Sequence, residues 1–237
     1  MEPYTFEKGK LIVREMTELL VLDLVRKGVV TKKIELTISY DRTSVALSYQ
    51  GRTQKDNQYK YATTGKPYKG TVGLDYYGRP CPKHAHGTGN LDKWTSSTQR
   101  IVNCMMELYD RSVDPDLLVR RVNVVAVNLI KEDEIPEEAP EQLNLFTDYE
   151  AIERQKAAEA AAEEKERRIQ KATLLLQEKY GKNAILKGMN LEEGATTILR
   201  NGQIGGHAAD QPKPAASRST SSTSSKTHSI EDGGDAQ

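Results

Sequence analysis

The residue types that could do metal chemistry are concentrated in one short stretch, Cys81 to His86. Cys81, His84 and His86 are side-chain types that bind zinc. A structural zinc site needs four ligands in a closed geometry, and a catalytic site needs three with an open position. No fourth ligand is evident nearby, and the other cysteine, Cys104, falls on a predicted helix face. A metal site is therefore not expected. The alternative interpretation is that Cys81, His84 and His86 are polar loop residues that face solvent or phosphate.

Catalytic residues are not evident elsewhere in the chain. The basic lobe from Arg42 to Arg100 holds only three acids, Asp56, Asp75 and Asp92, and none forms an obvious strand-borne pair that would hold magnesium for phosphoryl transfer. The glycine-rich pieces at 65–70 and 205–207 lack the strand–loop–helix context of a phosphate cradle. Neither catalysis nor a cofactor is expected from the residues alone.

The segment Gln142-Leu143-Asn144-Leu145-Phe146 suggests recognition chemistry instead. An extended peptide offers Leu145 and Phe146 as apolar anchors for a groove, and the Gln142 amide for backbone hydrogen bonds. Alternatively, the two anchors fold back onto their own domain as a short apolar patch. The pattern Gln-x-x-Leu-Phe, here with the extra Leu143, resembles the peptide by which bacterial proteins dock on the DNA sliding clamp.

Charge is distributed unevenly along a chain that is neutral as a whole, with 34 basic and 34 acidic residues. From Arg42 to Arg100 there are ten Lys/Arg against three Asp/Glu, whereas from Lys131 to Arg167 there are five against thirteen. A basic lobe followed by an acidic arm indicates polyanion binding in the first half only, although charged surfaces occur in every class of protein.

The sequence also indicates a compartment. Two cysteines, Cys81 and Cys104, do not make a disulfide framework, and a reducing cytoplasm is the simple interpretation. No apolar run reaches about 18 residues, so a membrane-spanning helix is not expected. The stretch Met1 to Tyr4 is acidic and lacks the apolar centre of a signal peptide.

Periodicity predicts the elements that position these residues. From Lys8 to Lys27, side chains recur with helical spacing in a wide apolar stripe that includes Glu15. Lys33 to Asp41 alternates between apolar and polar, which predicts a strand with one solvated face. Val45 to Tyr49 is the candidate for its hairpin partner. Gln50 to His86 is long and poorly periodic, and is either an extended hairpin or a mobile loop.

A third strand, a second helix and a last strand follow. Gly87 to Ser97 indicates a strand leading into a helix cap, for which Ser96, Ser97 and Thr98 are all candidates. The apolar face of that helix consists of Ile101, Cys104, Met105, Leu108 and Tyr109. Val119 to Ile130 carries apolar side chains on both faces, which predicts a central strand.

This order of elements predicts an α+β fold: a small, mainly antiparallel sheet with two helices on one face, then a charged helix (Asp148 to Tyr180) and a disordered tail. The other sheet face is expected to be open and basic. The expected divisions are a folded domain at 1–130, an acidic linker with the apolar peptide at 131–147, a charged helix and C-terminal extension at 148–209, and the tail at 210–237.

Several short stretches, taken in order, carry a resemblance to a known family. They are Tyr4 to Lys8, Leu19 to Gly28, Leu36 to Asp41, His84 to Leu91, Thr95 to Thr98, Asp114 to Arg121, Gln142 to Phe146, Lys179 to Gly194 and Arg200 to His207. Together they resemble the C-terminal part of a bacterial Y-family translesion DNA polymerase of the UmuC/ImpB type, over about residues 1 to 209. Each stretch alone is modest evidence for this resemblance, but their order along the chain, taken together, is specific.

The resemblance implies a little finger domain, which in that family clamps DNA against a catalytic core. It implies non-sequence-specific DNA binding and sliding-clamp docking in translesion synthesis, DNA repair and the SOS response. The implied clamp-binding residues are Gln142, Leu143, Leu145 and Phe146. The candidate DNA contacts are Lys83, His84, His86, Thr88, Lys93, Thr95 and Ser96.

The family's palm, with its metal-binding carboxylates, and its fingers would lie N-terminal to everything present, so a non-catalytic piece is expected. The expected partners are DNA, the bacterial sliding clamp and a separate polymerase catalytic part, with no membrane. Two alternatives stay open: the chain is a portion of a DNA-directed DNA polymerase, or it is a regulatory protein that competes for the clamp. Palm motifs encoded upstream of Met1 would favour the polymerase.

Overall fold

The computed structural model describes residues 2–53, 55–136, 149–204 and 207–208, which form the predicted α+β fold. The elements in chain order are α1 (Phe6–Lys27), β1 (Val29–Tyr40), β2 (Val45–Tyr49), β3 (Gln58–Tyr61), β4 (Val72–Leu74), β5 (Pro80–Pro82), β6 (Ala85–Thr95), α2 (Thr98–Ser112), β7 (Val119–Val127), β8 (Ile130–Lys131), α3 (Tyr149–Tyr180), α4 (Thr197–Asn201), β9 (Gln203–Ile204) and β10 (His207–Ala208). The described residues up to Gly202 belong to one compact unit, and β9 and β10 pair with each other in a second.

Strand β1 is the centre of the main sheet. It pairs antiparallel with β6 on one side and with β7 on the other, while its first residues pair with β8. Ile34, Leu36 and Ile38 are buried towards the helices, since alternate strand residues face opposite sides. The prediction that β7 is central is wrong, because it is an edge strand. Val125 and Val127 lie half-buried on the open face. Apolar side chains on both faces of a strand therefore do not imply that it has a neighbouring strand on each side.

The predicted pairing of β2 with β1 is also wrong. A 3₁₀ turn at Arg42–Ser44 redirects the chain, and the Asp41 carboxylate caps it by accepting the Thr43 N–H at 2.9 Å. Strand β2 then pairs with β3, and β4 pairs with β5. Strands β2 to β5 therefore form two short hairpins beside the main sheet. Of the two predictions for Gln50 to His86, this arrangement is closer to an extended hairpin than to a mobile loop.

Helices α1 and α2 cover the same face of the sheet. Ser97 is the N-cap of α2, because its side chain accepts the Arg100 N–H at 3.3 Å. Gly87 and Gly89 of β6 lie under α2, and a Cβ at Gly89 would stand 2.7 Å from the Cys104 sulfur. Glycine at these positions lets the helix approach the sheet closely. The shared core includes Val13, Val21, Leu24, Met105, Leu108 and Tyr109.

The segment after α3 is fixed to α1 by a buried carboxylate. Glu15 is 1% exposed and accepts hydrogen bonds from Thr196, from the Thr197 N–H, and from the side chains of Asn190 and Arg200. Burial raises the pKa of Glu15, but these hydrogen bonds outweigh burial and hold the pKa below its usual value. The C-terminal part of the unit is thereby attached to the first helix.

Candidate nucleic-acid interface

The sheet face opposite the helices is open and, apart from Val125 and Val127, largely polar. Register with the neighbouring strands places His86 and Asn123 on either side of Thr37, and Thr88 beside Glu35. The His86 Nδ1 atom lies 3.0 Å from the Thr37 hydroxyl oxygen. This face can offer hydroxyl, amide and imidazole groups to a phosphate backbone.

The expectation that this face is basic is not met. Its charged side chains on β1 and β7 are Lys33 and Arg121 against Glu35, and the Lys33 ammonium lies 4.0 Å from the Glu35 carboxylate. The face is close to neutral because most of the cations counted between Arg42 and Arg100 lie outside the three main strands.

The cations are instead concentrated on the two small hairpins and the loops around them. Asp56 and Asp75 are the acids of this segment, and the Asp75 carboxylate is paired with Arg79 at 2.7 Å. Within the described residues, seven exposed cations of the segment have no ion-paired carboxylate, so their charge is available to a polyanion. These residues, called the hairpin cations below, are Arg42, Arg52, Lys55, Lys60, Lys66, Lys69 and Lys83.

The hairpins are fixed to the folded body. The Tyr61 hydroxyl donates to the Asp114 carboxylate at 2.7 Å, and the Thr63 hydroxyl donates to the Asp116 carbonyl at 3.2 Å. Burial and the neighbouring Asp114 both raise the pKa of Tyr61, so the phenol keeps its proton for this bond. The Tyr68 ring meets the Tyr61 ring edge-on at 5.1 Å. The hairpin cations therefore project from a framework held by tertiary contacts.

A cleft of about 820 Å³ opens between β3 and the chain that follows it. The chain at 65–72 runs back along β3 through backbone hydrogen bonds. Lys55 and Lys60 line this cleft together with Tyr59 and Tyr68. Cations interleaved with aromatic rings are typical of surfaces that contact nucleic-acid backbones and bases.

The turn between β4 and β5 carries two exposed aromatic rings. Tyr76 is 96% exposed and Tyr77 is 75% exposed. The Asp75 carboxylate accepts the N–H groups of Tyr77 and Arg79, both at 2.9 Å, and Gly78 supplies the φ of 73° that the turn requires. The Arg79 guanidinium lies 4.8 Å from the Tyr77 ring centre. Exposed rings on a hydrogen-bonded turn are suited to stacking on bases.

Four of the seven predicted DNA contacts lie at the hairpin end of β6. Lys83 and His84 are exposed just before the strand, and His86 and Thr88 lie on the open face. The Lys83 N–H donates to the Thr71 carbonyl at 2.8 Å, which joins this end of β6 to the hairpin segment. These four residues thus continue the surface that carries the hairpin cations.

The other three predicted contacts lie at the far end of β6, where α3 packs. The Lys93 ammonium is paired with the Glu163 carboxylate at 2.8 Å. Thr95 is 7% exposed, and its hydroxyl oxygen accepts a neighbouring backbone N–H at 2.9 Å. The Ser96 carbonyl accepts a hydrogen bond from the Gln170 amide at 3.0 Å. The structure therefore separates the predicted contacts into an accessible group and a group that is either buried (Thr95) or engaged by α3 (Lys93 and Ser96).

The metal-ligand residue types do not converge. No group of three or more His, Cys, Asp or Glu side chains within the described residues is arranged to hold a metal ion. The Cys81 thiol donates to the Tyr40 carbonyl at 3.4 Å, and burial raises its pKa, which disfavours the reactive thiolate. Cys81, His84 and His86 are polar neighbours of the hairpins.

Acidic side chains that face the basic lobe were not predicted from the sequence. Glu159, Glu163 and Glu166 of α3 contact the start of α2, and the first two bind Arg100 at 2.9 and 2.8 Å. Their spacing of four and three residues puts them on one helix face. That spacing was a signal for an acidic stripe, although it carried no information about the partner of the stripe.

The predicted clamp-binding residues, Gln142, Leu143, Leu145 and Phe146, lie outside the described residues. No family model, curated protein or solved structure matches the chain. In the part of the chain that the structure describes, no helix combines the length and the apolar character needed to cross a membrane. The fold and the interface define an α+β domain with cationic hairpins beside an open polar sheet.

Proposed function

We propose that this chain binds DNA through the phosphate backbone and docks on the bacterial sliding clamp, as the C-terminal part of a Y-family translesion polymerase would. The observation that carries DNA binding is the set of hairpin cations, which are exposed and have no ion pair among the described residues. The resemblance to the little finger domain of that family supports the same function.

The chemistry of the surface suits binding without sequence readout. Lysine and arginine contacts to phosphates supply affinity and position, but carry no information about the bases. A duplex seated on the open face meets polar side chains such as Thr37, His86 and Asn123 there, and the hairpin cations at its margin. Binding of this kind has a Kd of about 10⁻⁴–10⁻⁶ M at physiological salt. Contacts to the backbone alone suit a polymerase that must pass over damaged bases.

Clamp docking would reinforce this weak DNA binding. The peptide Gln142–Phe146 follows an acidic segment with two prolines, Pro136 and Pro140, which favours an extended chain that reaches a partner. A sliding clamp encircles the same duplex, so binding at one contact raises the effective concentration at the other.

The test of DNA binding uses the triple variant Lys60→Ala, Lys66→Ala and Lys69→Ala, which removes three hairpin cations. For the wild-type protein, we expect the logarithm of the binding constant to fall with log salt with a slope of roughly −3 to −5, at about −0.9 per phosphate contact. In the variant the slope should become less negative by up to about 3. Fluorescence anisotropy of a labelled duplex at several salt concentrations measures both slopes.

A matched control separates local contacts from overall charge. The triple variant Lys171→Ala, Lys179→Ala and Lys182→Ala loses the same charge at exposed positions on or just after α3. A flat salt response of the wild-type protein, or equal effects of the two triple variants, would contradict the proposed interface.

A further inference from the structure

The corner where β6 ends and α2 begins carries two cations, Lys93 and Arg100, and acidic side chains of α3 already contact both of them. Arg100 is surrounded by three carboxylates: its guanidinium contacts Asp92 at 2.8 Å, Glu159 at 2.9 Å and Glu163 at 2.8 Å. Lys93 shares Glu163 at 2.8 Å. Two of the ten cations between Arg42 and Arg100 are therefore neutralised by α3, in contrast to the hairpin cations.

A third glutamate of α3 takes the position in which a phosphate would bind. The Glu166 carboxylate accepts the Ser97 hydroxyl at 2.7 Å and the Gln99 N–H at 3.1 Å, at the first turn of the 15-residue helix α2. Hydroxyl and backbone N–H donors beside lysine and arginine are the groups that hold phosphate oxygens. The corner thus offers two cations and two neutral donors to oxyanions, and side chains of this chain fill it.

The acidic stripe resembles a nucleic-acid strand in its charge density. Glu159, Glu163 and Glu166 place three negative charges within about 10 Å along the helix axis. One DNA strand carries a negative charge about every 3.4 Å. The carboxylates of α3 therefore present an array comparable to a short run of phosphates.

Helix α3 is held at this corner mainly by polar contacts. Gln170 is the one buried residue of α3, and its amide donates to the Ser96 carbonyl at 3.0 Å and to the Thr98 hydroxyl oxygen at 2.9 Å. Arg167 is paired with Glu132. A cavity of about 340 Å³ lies between α1, α2 and α3, so the helix is incompletely packed against the other two. Ion pairs at a partly exposed surface are weak and sensitive to salt.

We propose that α3 is an intramolecular competitor of DNA, and that its glutamates occupy a second backbone-binding site made by Lys93, Arg100 and the start of α2. This inference rests on the proposed DNA binding and adds its regulation. DNA displaces the acidic stripe, and the phosphates then take over the contacts of Glu159, Glu163 and Glu166. In the closed arrangement the protein has fewer cations available, so the affinity for DNA is held down until α3 leaves the corner.

The test neutralises the stripe without changing its size, through Glu159→Gln, Glu163→Gln and Glu166→Gln. Because glutamine competes poorly for cations, we expect the affinity for a labelled duplex to rise about tenfold or more. The salt slope should also steepen, because in the wild-type protein added salt weakens the competing ion pairs of the stripe as well as the phosphate contacts. The matched control is Glu150→Gln, Glu153→Gln and Glu178→Gln, which removes the same charge from exposed positions of the same helix. The control should show the smaller gain that follows from net charge alone.

Two further variants complete the experiment. Adding Lys93→Gln and Arg100→Gln to the stripe variant should cancel its gain in affinity, since the site itself is then removed. The single variant Glu163→Gln, followed by thermal melting, gives the same direction of change if the triple variant folds poorly. Wild-type affinity and slope in a folded stripe variant would overturn the competition while leaving DNA binding intact. No binding by either protein at low salt would overturn the proposed function as well.

Discussion

The Glu15 carboxylate lies inside the protein, where five hydrogen bonds satisfy its charge. Two come from Thr196 at 2.8 and 3.1 Å, and one comes from the Arg200 guanidinium at 3.2 Å. Removing one partner of such a buried arrangement costs more than the arrangement contributes, because the remaining charge stays buried and unpaired. Among the residues of α1, Glu15 should therefore be the one whose substitution lowers the free energy of unfolding most.

Replacing Glu15 with alanine leaves the Arg200 guanidinium without its carboxylate partner and the Thr197 N–H without its acceptor. We expect a loss of about 3–5 kcal/mol in the free energy of unfolding, measured by chemical denaturation. Glu107→Ala, at an exposed position of α2, is the control and should stay within about 0.5 kcal/mol of wild type. A loss below about 1 kcal/mol for Glu15→Ala would mean that water replaces the missing acceptor.

The same carboxylate predicts a pH dependence. Its pKa is lower in the folded protein than the ordinary 4.5, so its contribution to stability is fully present above pH 4.5. The contribution is lost as the pH falls through the lowered pKa, because the unfolded chain binds the proton more readily. The stability difference between wild type and Glu15→Gln should therefore be constant near neutrality and shrink below pH 4.5. Denaturation curves at a series of pH values measure it, and a difference that grows on acidification would be inconsistent with this sign.

At the scale of elements, the distance between α2 and the sheet is set by glycines of β6. A Cβ at Gly89 would lie 2.7 Å from the Cys104 sulfur and 3.0 Å from the Ile34 side chain. Gly89→Ala should therefore destabilise the protein by about 1–3 kcal/mol through overpacking, seen as a lower thermal midpoint. Gly73→Ala in β4 has no atom within 4 Å of the added Cβ and should change little. Equal midpoints for the two variants would show that α2 moves freely over the sheet.

The sequence predicted the long elements because their patterns are local. Helical spacing identified α1 and α2, and strict alternation in β1 identified both the strand and its buried face. The pairing of strands could not be predicted from such local patterns. The alternation in β2 indicates a strand without saying whether β1 or β3 is its partner, and Val125 and Val127 suggested a covered strand where the structure has an edge.

The candidate site was predictable in part for the same reason. The cationic segment is recognisable in the sequence because its lysine and arginine residues are close together there. The neutralisation of Lys93 and Arg100 is not recognisable in the sequence, because their partner Glu163 is 63 residues beyond Arg100. Ion pairs between such distant residues leave no local pattern in either segment.

For the whole molecule, clamp docking is expected to depend on two side chains, Leu145 and Phe146. Burying each in a groove contributes roughly 1.5–3 kcal/mol, less the cost of ordering the segment, so the isolated peptide should bind in the micromolar range at best, about 8 kcal/mol. We expect Leu145→Ala with Phe146→Ala to abolish binding to the bacterial sliding clamp and to leave thermal stability and free-DNA affinity unchanged. Surface plasmon resonance with immobilised clamp measures the loss.

Two exposed leucines elsewhere provide the control for this prediction. Leu175 is 67% exposed and Leu199 is 72% exposed, and alanine at both positions should preserve clamp binding. Clamp binding that survives the Leu145 and Phe146 exchange would place the contact elsewhere. A lower thermal midpoint in that variant would support the alternative, in which the two side chains pack on their own domain.

Glu15 is synthesised early, whereas its hydrogen-bond partners are synthesised late. The main sheet can be complete once Lys131 has been added, but Arg200 follows Glu15 by 185 positions. At about 5–20 residues per second, the ribosome takes roughly 3–14 s to pass from Lys131 to Arg200. During that interval water must solvate the carboxylate, which keeps this side of α1 open. The nascent chain therefore closes in two stages, the sheet first and the surface of its first helix last.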